Sequence, residues 1–333
     1  MKSYWIRHDK GNAILELREL PVPEPAAGQM LLCVRAASLN RGDLLGAIKF
    51  HRAAEGRPAG VDAAGEVHAV GEGVAGFRRG DRIMARGRGC FAEYVLVDPA
   101  LATPVPAHFS WEQAAAIPIS YVTAWEALIQ FGRLKAGETL LVAGASSGVG
   151  VASIQLGNFL GARVIGVSGS AGKLERLLAL GLHAAICARG EDFSARVLEV
   201  TGGKGVDLAV NLVGGTVFAA CQRSLANFGR LAIVGYVDGV MTTPLDLEAA
   251  HGKRHEIFGI SNAPLTPAMR AEATRGFNRD VMPAIAGGRI VPVIDRVFPF
   301  DQLLAAKAYV DSDRKSTRLN SSHIQKSRMP SSA

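Results

Sequence analysis

The apolar positions change their pattern once along the chain. Up to about residue 110 they come in short runs that read as strands, 31–36 and 91–97 among them. Pro21, Pro23, Pro25, Gly71, Gly73, Gly76 and Gly80 punctuate the stretches between. From about residue 111, short apolar runs at 139–143, 163–167, 184–187, 206–212 and 230–234 alternate with helical stretches at 148–160, 171–180, 191–200 and 214–226. That alternation predicts βαβ units and a parallel sheet, an α/β fold. After Gly259 the pattern predicts a helix near 266–286, a strand near 290–298 and a closing helix with Asp301 as its N-cap. Residues 314–333 hold six serines, no acid and no apolar periodicity, so that tail is expected to be disordered.

Composition narrows the class. With 333 residues, 48% hydrophobic and 20% charged, the chain is globular and long enough for two domains. Many glycines (38) with few aromatics (6%) suit an α/β protein with many tight turns. A net charge of +7 invites a nucleic-acid reading, but Arg314, Lys315, Arg318, Lys326 and Arg328 of the tail carry +5 of it. The remainder is nearly neutral, so a nucleic-acid partner is not favoured. Cys33, Cys90, Cys187 and Cys221 are far apart and include no C-x-x-C pair, which fits a reducing cytoplasmic setting rather than a disulfide framework. The charged first twenty residues hold no signal-peptide core. The charge-free run 139–162 is long enough to span a membrane. Its five glycines and its Ser146, Ser147, Gln155 and Asn158 instead fit a buried strand, turn and helix.

The first strand of the βαβ region runs into Gly144-Ala145-Ser146-Ser147-Gly148-Val149-Gly150 and then an apolar helix. Small residues in such a turn let the backbone approach a pyrophosphate, whose charge the helix N-terminus holds. A dinucleotide site is therefore expected at Ala145, Ser146, Ser147, Gly148, Val149 and Gly150, with Ala145 and Ser147 standing where the first two glycines of G-x-G-x-x-G would fall. The end of the second strand selects the dinucleotide. An NAD site places an acid there for the ribose 2′-hydroxyl. This chain has Ser168, Ser170 and Lys173, with Arg176 close behind. Hydroxyls and a cation suit a 2′-phosphate, so NADPH is the expected cofactor.

Further landmarks come in a fixed order: Ser38-Leu39-Asn40-Arg41-Gly42-Asp43, Gly60-Val61-Asp62-Ala63-Ala64-Gly65, Gly80-Asp81-Arg82-Ile83, Phe91-Ala92-Glu93-Tyr94-Val95, Thr123-Ala124-Trp125, the glycine turn and Gly229-Arg230-Leu231. Together they make residues 12–312 resemble the medium-chain dehydrogenase/reductase superfamily, in its zinc-free quinone oxidoreductase branch related to zeta-crystallin. The resemblance implies a GroES-like β-rich substrate domain from residues 1–121 and 259–313, and a Rossmann NADPH-binding domain from 122–258 with a doubly wound parallel sheet. It implies that Asn40 lines the cleft beside the nicotinamide and that Thr123 contacts the cofactor. Val213, Val234, Gly235 and Tyr236 would face the nicotinamide half from strand ends. Tyr121 and Asp43 are candidate proton donors, with bulk water an alternative. A homodimer is also implied.

The alcohol dehydrogenase relatives take zinc on a Cys in C-x-[ST]-D and a His in G-H-E. The matching positions here read Asn40-Arg41-Gly42-Asp43 and Gly60-Val61-Asp62, and no cysteine lies between Cys90 and Cys187. The ligand types for a catalytic zinc are missing, as is the four-cysteine structural lobe, so no metal is expected. His251 and His255 are four apart and could share a helix face, which alone makes a weak ligand pair. Without a Lewis acid to stabilise an alkoxide, an acceptor that is already electron-poor is favoured. The expectation is an NADPH-dependent reductase of a quinone or activated alkene (an enone), working without zinc. An enoyl-thioester reductase acting on acyl-CoA or a carrier protein is the second reading, with Arg52, Arg57, Arg78, Arg79, Arg86 and Arg88 as a possible basic rim. A non-catalytic NADPH- or nucleic-acid-binding protein is the third. Relatives close with a short strand soon after the final helix. The Ser/Lys/Arg tail stands in its place, so residues from about 315 are expected to be non-native and the substrate domain to lack that strand.

Overall fold

The computed structural model describes residues 1–9, 12–40, 56–190, 192–312 and 322–325. Up to residue 104 the chain forms β1 (Lys2–Asp9), β2 (Asn12–Glu19), β3 (Met30–Leu39), β4 (Arg57–Pro58), β5 (Asp62–Val70), β6 (Arg82–Arg86), β7 (Tyr94–Val97) and β8 (Ala102–Pro104). β2, β1 and β4 form a small antiparallel sheet. β3, β5, β6 and β8 are consecutive neighbours in a larger one, and β7 also pairs with β3. The two faces of this larger sheet go to different cores. Ala37, Ala63, Ile83 and Ala85 pack into the interior of the β-rich domain. Ala36, Ala64 and Met84, one residue out of step, join the core shared with the helices that follow.

Ser110 opens α1 (Trp111–Ala115) with a capping box closed by Gln113. α2 (Ser120–Trp125) runs into a π-helical turn, Glu126–Gln130. The chain then alternates: β9 (Thr139–Ala143), α3 (Gly148–Phe159), β10 (Arg163–Ser168), α4 (Ala171–Leu178), β11 (Ala184–Cys187), α5 (Ser194–Val200), β12 (Val206–Asn211), α6 (Gly215–Arg223), β13 (Leu225–Ile233), α7 (Leu247–Gly252) and β14 (Glu256–Gly259). All pairings among these strands are parallel, in the order β11-β10-β9-β12-β13-β14. The order reverses between β9 and β12, which makes a crevice at the carboxyl ends of those strands. Leu140, Leu141 and Val142 of β9 are all buried, because helices cover both faces of the sheet. The α/β architecture expected from the sequence is the one observed.

Several boundaries differ from the pattern reading. The helix expected over 266–286 is two helices, α8 (Pro267–Asp280) and α9 (Met282–Ala286), because Pro283 has no N–H to continue the first. The strand expected near 290–298 shortens to β15 (Arg296–Pro299). Asp301 is not an N-cap; it lies inside a 3-10 turn, Phe300–Gln302, that leads into α10 (Leu303–Ser312).

The tail expected to be disordered contains β16 (Ser322–Gln325), which pairs parallel with β15 and antiparallel with β3. The strand expected to be missing from this sheet is therefore supplied from within the suspect tail. Backbone pairing requires no apolar periodicity, and the inserted strand covers an edge of β3 that would otherwise present unpaired N–H and C=O groups. Among the described residues no helix is long and apolar enough to cross a membrane.

Candidate active site

The crevice floor is built mostly from main chain. Gly144 leaves β9 at a φ of +90°, a conformation costly for any residue with a Cβ. Ser147 caps α3: its hydroxyl donates to the Gly144 carbonyl at 2.9 Å and accepts from the Gly150 N–H at 3.1 Å. A Cβ at Gly150 would lie 2.5 Å from the Gly144 oxygen and 2.7 Å from that of Ala145. The helix start is thus drawn hard against the turn. Gly148 and Val149 open its first turn, where N–H groups have no acceptor within the helix. Ala145 is buried beneath, and the Ser146 hydroxyl lies 3.1 Å from that of Ser168 at the end of β10.

The next turn holds the expected 2′-phosphate residues. Ser170 caps α4, accepting from the Lys173 N–H at 3.4 Å. Lys173 is 5% exposed, so it is not an ordinary solvated helix lysine. Arg176 does not stay with it; its guanidinium lies 3.9 Å from Asp295, which also accepts a 2.6 Å bond from the Tyr309 hydroxyl. Arg189, by contrast, lies across this turn. It donates to the Gly169 carbonyl at 3.3 Å, and a Cβ at Gly169 would meet it at 2.9 Å. Gly169 is therefore what lets a second cation lie against this turn.

On the other side of the switch point, the turn after β12 is shaped by buried Asn211. Its Oδ1 accepts from the Val213 and Gly214 N–H groups at 2.9 and 3.0 Å, and its Nδ2 donates to the Gly214 carbonyl at 2.9 Å. Val213, half-buried, is fixed by that turn. Val234, Gly235 and Tyr236 follow β13, with a Cβ at Gly235 reaching within 3.0 Å of the Leu212 carbonyl oxygen. Thr123 is buried on α2. Asn211 is a residue of this turn that the motif spacing does not point to. Its signal is an Asn at the end of a buried strand directly before Leu-Val-Gly-Gly.

The candidate residues of the β-rich domain belong to a cluster built from side chains. Asn40 follows β3, and its Nδ2 donates to the Ser38 hydroxyl at 3.1 Å and to Asp62 Oδ1 at 3.2 Å. Ser38 itself donates to Asp62 Oδ1 at 2.5 Å. Asp62 is fully buried (0% exposed) and pairs in register with Arg86 across β5 and β6. Arg86 is 7% exposed and donates to the Asn262 side chain. Its Nη1 and the Oε2 of buried Glu126 have no hydrogen-bond partner among the described residues. Burial raises the Glu126 carboxyl above its ordinary value, a shift the Arg86 charge opposes; burial likewise lowers the Arg86 guanidinium. Ser38, Asp62 and Arg86 form a polar row on a sheet face otherwise apolar with Ala36, Ala64 and Met84. Arg86, placed in a basic rim by the sequence reading, is an interior residue. Arg52 lies outside the described residues.

Of the candidate proton donors, Asp43 lies outside the described residues. Tyr121 is 2% exposed and donates its hydroxyl to Gln155 Oε1 at 2.5 Å, while Gln155 Nε2 donates to the Val291 carbonyl at 2.8 Å. Burial pushes its phenol above the usual tyrosine range. That chain of bonds ties α2 to α3 and to the segment after α9. His251 and His255 do not share a helix, because α7 ends at Gly252. No group of three His, Cys, Asp or Glu side chains that could hold a metal occurs among the described residues.

A parallel six-stranded sheet with a glycine turn at its switch point, set beside a GroES-like β domain, defines a two-domain oxidoreductase. The alcohol dehydrogenase GroES-like domain model matches residues 26–107 and the zinc-binding dehydrogenase model matches residues 148–273. The rat quinone oxidoreductase is 30% identical over 306 residues, which cover 90% of each chain. The chain belongs to the medium-chain dehydrogenase/reductase family, and these relatives agree with the zeta-crystallin-like branch. A spectinabilin polyketide synthase system protein of Streptomyces orinoci is 33% identical over 317 residues, 93% of this chain. The chain spans only 14% of that protein's length. Among solved structures, the mycobacterial protein Rv1454c complexed with NADPH superposes with a TM-score of 0.86 at 25% identity, covering 98% of this chain and 100% of the other.

Proposed function

We propose that this protein is an NADPH-dependent reductase of quinones or activated alkenes that works without zinc. The observation that carries the reading is the substitution of chemistry at one place. Where zinc-dependent relatives hold a Cys and a His, this chain has Asn40 and Val61; neither side chain offers the thiolate or imidazole a zinc would take, and the Asn40 amide nitrogen is instead bonded to a fully buried carboxylate.

The crevice suits a dinucleotide on its own geometry. The close approach at Gly150 and the Ser147 cap present the first-turn N–H groups of α3 to a pyrophosphate. Ser168, Ser170, Lys173 and Arg189 gather hydroxyls and cations where a 2′-phosphate would sit. Val213, Val234, Gly235, Tyr236 and Thr123 would flank the nicotinamide half. When bound, NADPH supplies a hydride; the chain's residues orient it and keep water out. Asn40 fixes the cleft wall with its amide nitrogen turned to Asp62. Tyr121 holds α2 against α3 through Gln155, so proton delivery is assigned to solvent or to Asp43. The homodimer implied by resemblance is checked by light scattering.

A second reading, reduction of an enoyl thioester, is favoured by one observation: nearly the whole chain matches a segment of a polyketide synthase system protein. The deciding experiment is NADPH oxidation against a naphthoquinone, an ortho-quinone, an enone and crotonyl-CoA. Turnover of the first three supports the leading reading, and turnover of crotonyl-CoA alone replaces it. Tight NADPH binding with no turnover on any of the four overturns both.

A further inference from the structure

We propose that Asp62 is a positioning residue whose charge sets which edge of the Asn40 carboxamide faces the cleft. The inference rests on the reading that Asn40 lies beside the nicotinamide. A carboxylate can only accept hydrogen bonds. Asp62 Oδ1 already accepts from the Ser38 hydroxyl at 2.5 Å and from Asn40 Nδ2 at 3.2 Å, and Ser38 accepts from the same Nδ2 at 3.1 Å. Turning the Asn40 amide over would set its oxygen against a buried carboxylate, an arrangement the low-dielectric interior penalises. The carboxamide therefore keeps its nitrogen toward the sheet and its oxygen edge away from it.

The carboxylate is itself held. It is wholly buried on β5, with Arg86 in register beside it on β6, and Arg86 is anchored by Asn262. The row Ser38–Asp62–Arg86 crosses three adjacent strands, so the orientation at Asn40 is tied to the rigid centre of the sheet.

Asp62→Asn is the discriminating variant. It is close to isosteric, yet its amide can donate as well as accept, so both orientations of Asn40 become available. We expect kcat on the best quinone to fall about tenfold, the loss of one charge-assisted bond in a fixed geometry. The NADPH Kd should stay within about twofold. In an Asn40→Ala background the same change should cost less than about twofold. A readout independent of turnover is the side-chain amide resonance of Asn40 in the cofactor-free protein, identified by its loss in Asn40→Ala. In the wild type it should be a single pair of signals with one proton shifted downfield by the carboxylate, and in Asp62→Asn it should move upfield or split. If Asp62→Asn does not fold, Asp62→Ser removes the carboxylate at a smaller volume and gives the same test. An unmoved Asn40 signal, or an equal loss of kcat with and without Asn40, overturns the proposal. If Asn40→Ala leaves turnover intact, the cofactor-side reading of Asn40 falls, while the amide signal still decides what Asp62 does.

Discussion

Two parts of the proposed site are built by opposite means. The turn after β9 is made of main chain: glycines, one serine cap and the first N–H groups of α3. The polar cluster at the ends of β3, β5 and β6 is made of side chains, with Asp62 accepting from both Ser38 and Asn40. A main-chain site reads any dinucleotide phosphate and resists drift in side-chain identity, so a short motif announces it. A side-chain site is specific to its own reaction, and its members are scattered over the sequence. The general need and the particular chemistry thus sit on different kinds of surface.

That contrast can be broken most directly at Gly150. A Cβ there would lie 2.5 Å from the Gly144 oxygen, so Gly150→Ala must push the helix off the turn. We expect a loss of about 1–3 kcal/mol in stability and at least about a tenfold weaker NADPH Kd, by denaturant melts and fluorescence titration. Unchanged binding would mean that the main chain does not hold the phosphates.

Lys173→Ala, which leaves the main chain untouched, should weaken NADPH by about tenfold and NADH almost not at all. Equal losses for both would show the lysine to be structural.

Removing residues 313–333 deletes β16 and bares the edge of β3. The melting temperature should fall by about 2–4 °C, equivalent to about 1 kcal/mol for a domain of this size. An unchanged melt would show that the inserted strand adds nothing.

Tyr121→Phe breaks the bond to Gln155 and should cost about 1 kcal/mol while leaving kcat within about twofold. A hundredfold loss of kcat would restore Tyr121 as the proton donor.

The smallest effect is expected at Glu126. Burial raises its carboxyl above the ordinary 4.5, so the folded state holds that proton more tightly than the unfolded chain. Its stabilising contribution is complete below pH 4.5 and fades as pH rises through the folded value. Glu126→Gln should flatten the pH dependence of the melting temperature above that point. An unaltered slope would place the effect elsewhere.

Legibility followed the same division. The run at 139–143 is β9 to the residue, because a buried parallel strand is an unbroken apolar run between two polar boundaries. The glycine turn was readable because its spacing is dictated locally. Periodicity alone runs one helix over 266–286, and only Pro283, which lacks the N–H to continue α8, marks the break. Tyr121 and Asn40 stand out in the sequence only through resemblance, and nothing local pairs them with Gln155 and Asp62. Nothing within a few residues of either marks the pairing, which arises where α3 packs on α2 and where β5 lies beside β3. Arg86 looked like a surface cation by composition, and only the pleat of β6 turned it inward beside Asp62.

By itself, the sequence determined the alternation of strands and helices, the parallel sheet and the phosphate-binding turn, because each depends on periodicity and backbone freedom within a few residues. The tertiary structure alone decided that a fully buried Asp62 faces Arg86 and grips Asn40, that Tyr121 is bonded to Gln155, and that a polar tail closes the sheet at β3. Those outcomes depend on which strands become neighbours and in what register. Register is fixed by burial across the whole sheet rather than by any segment of the chain.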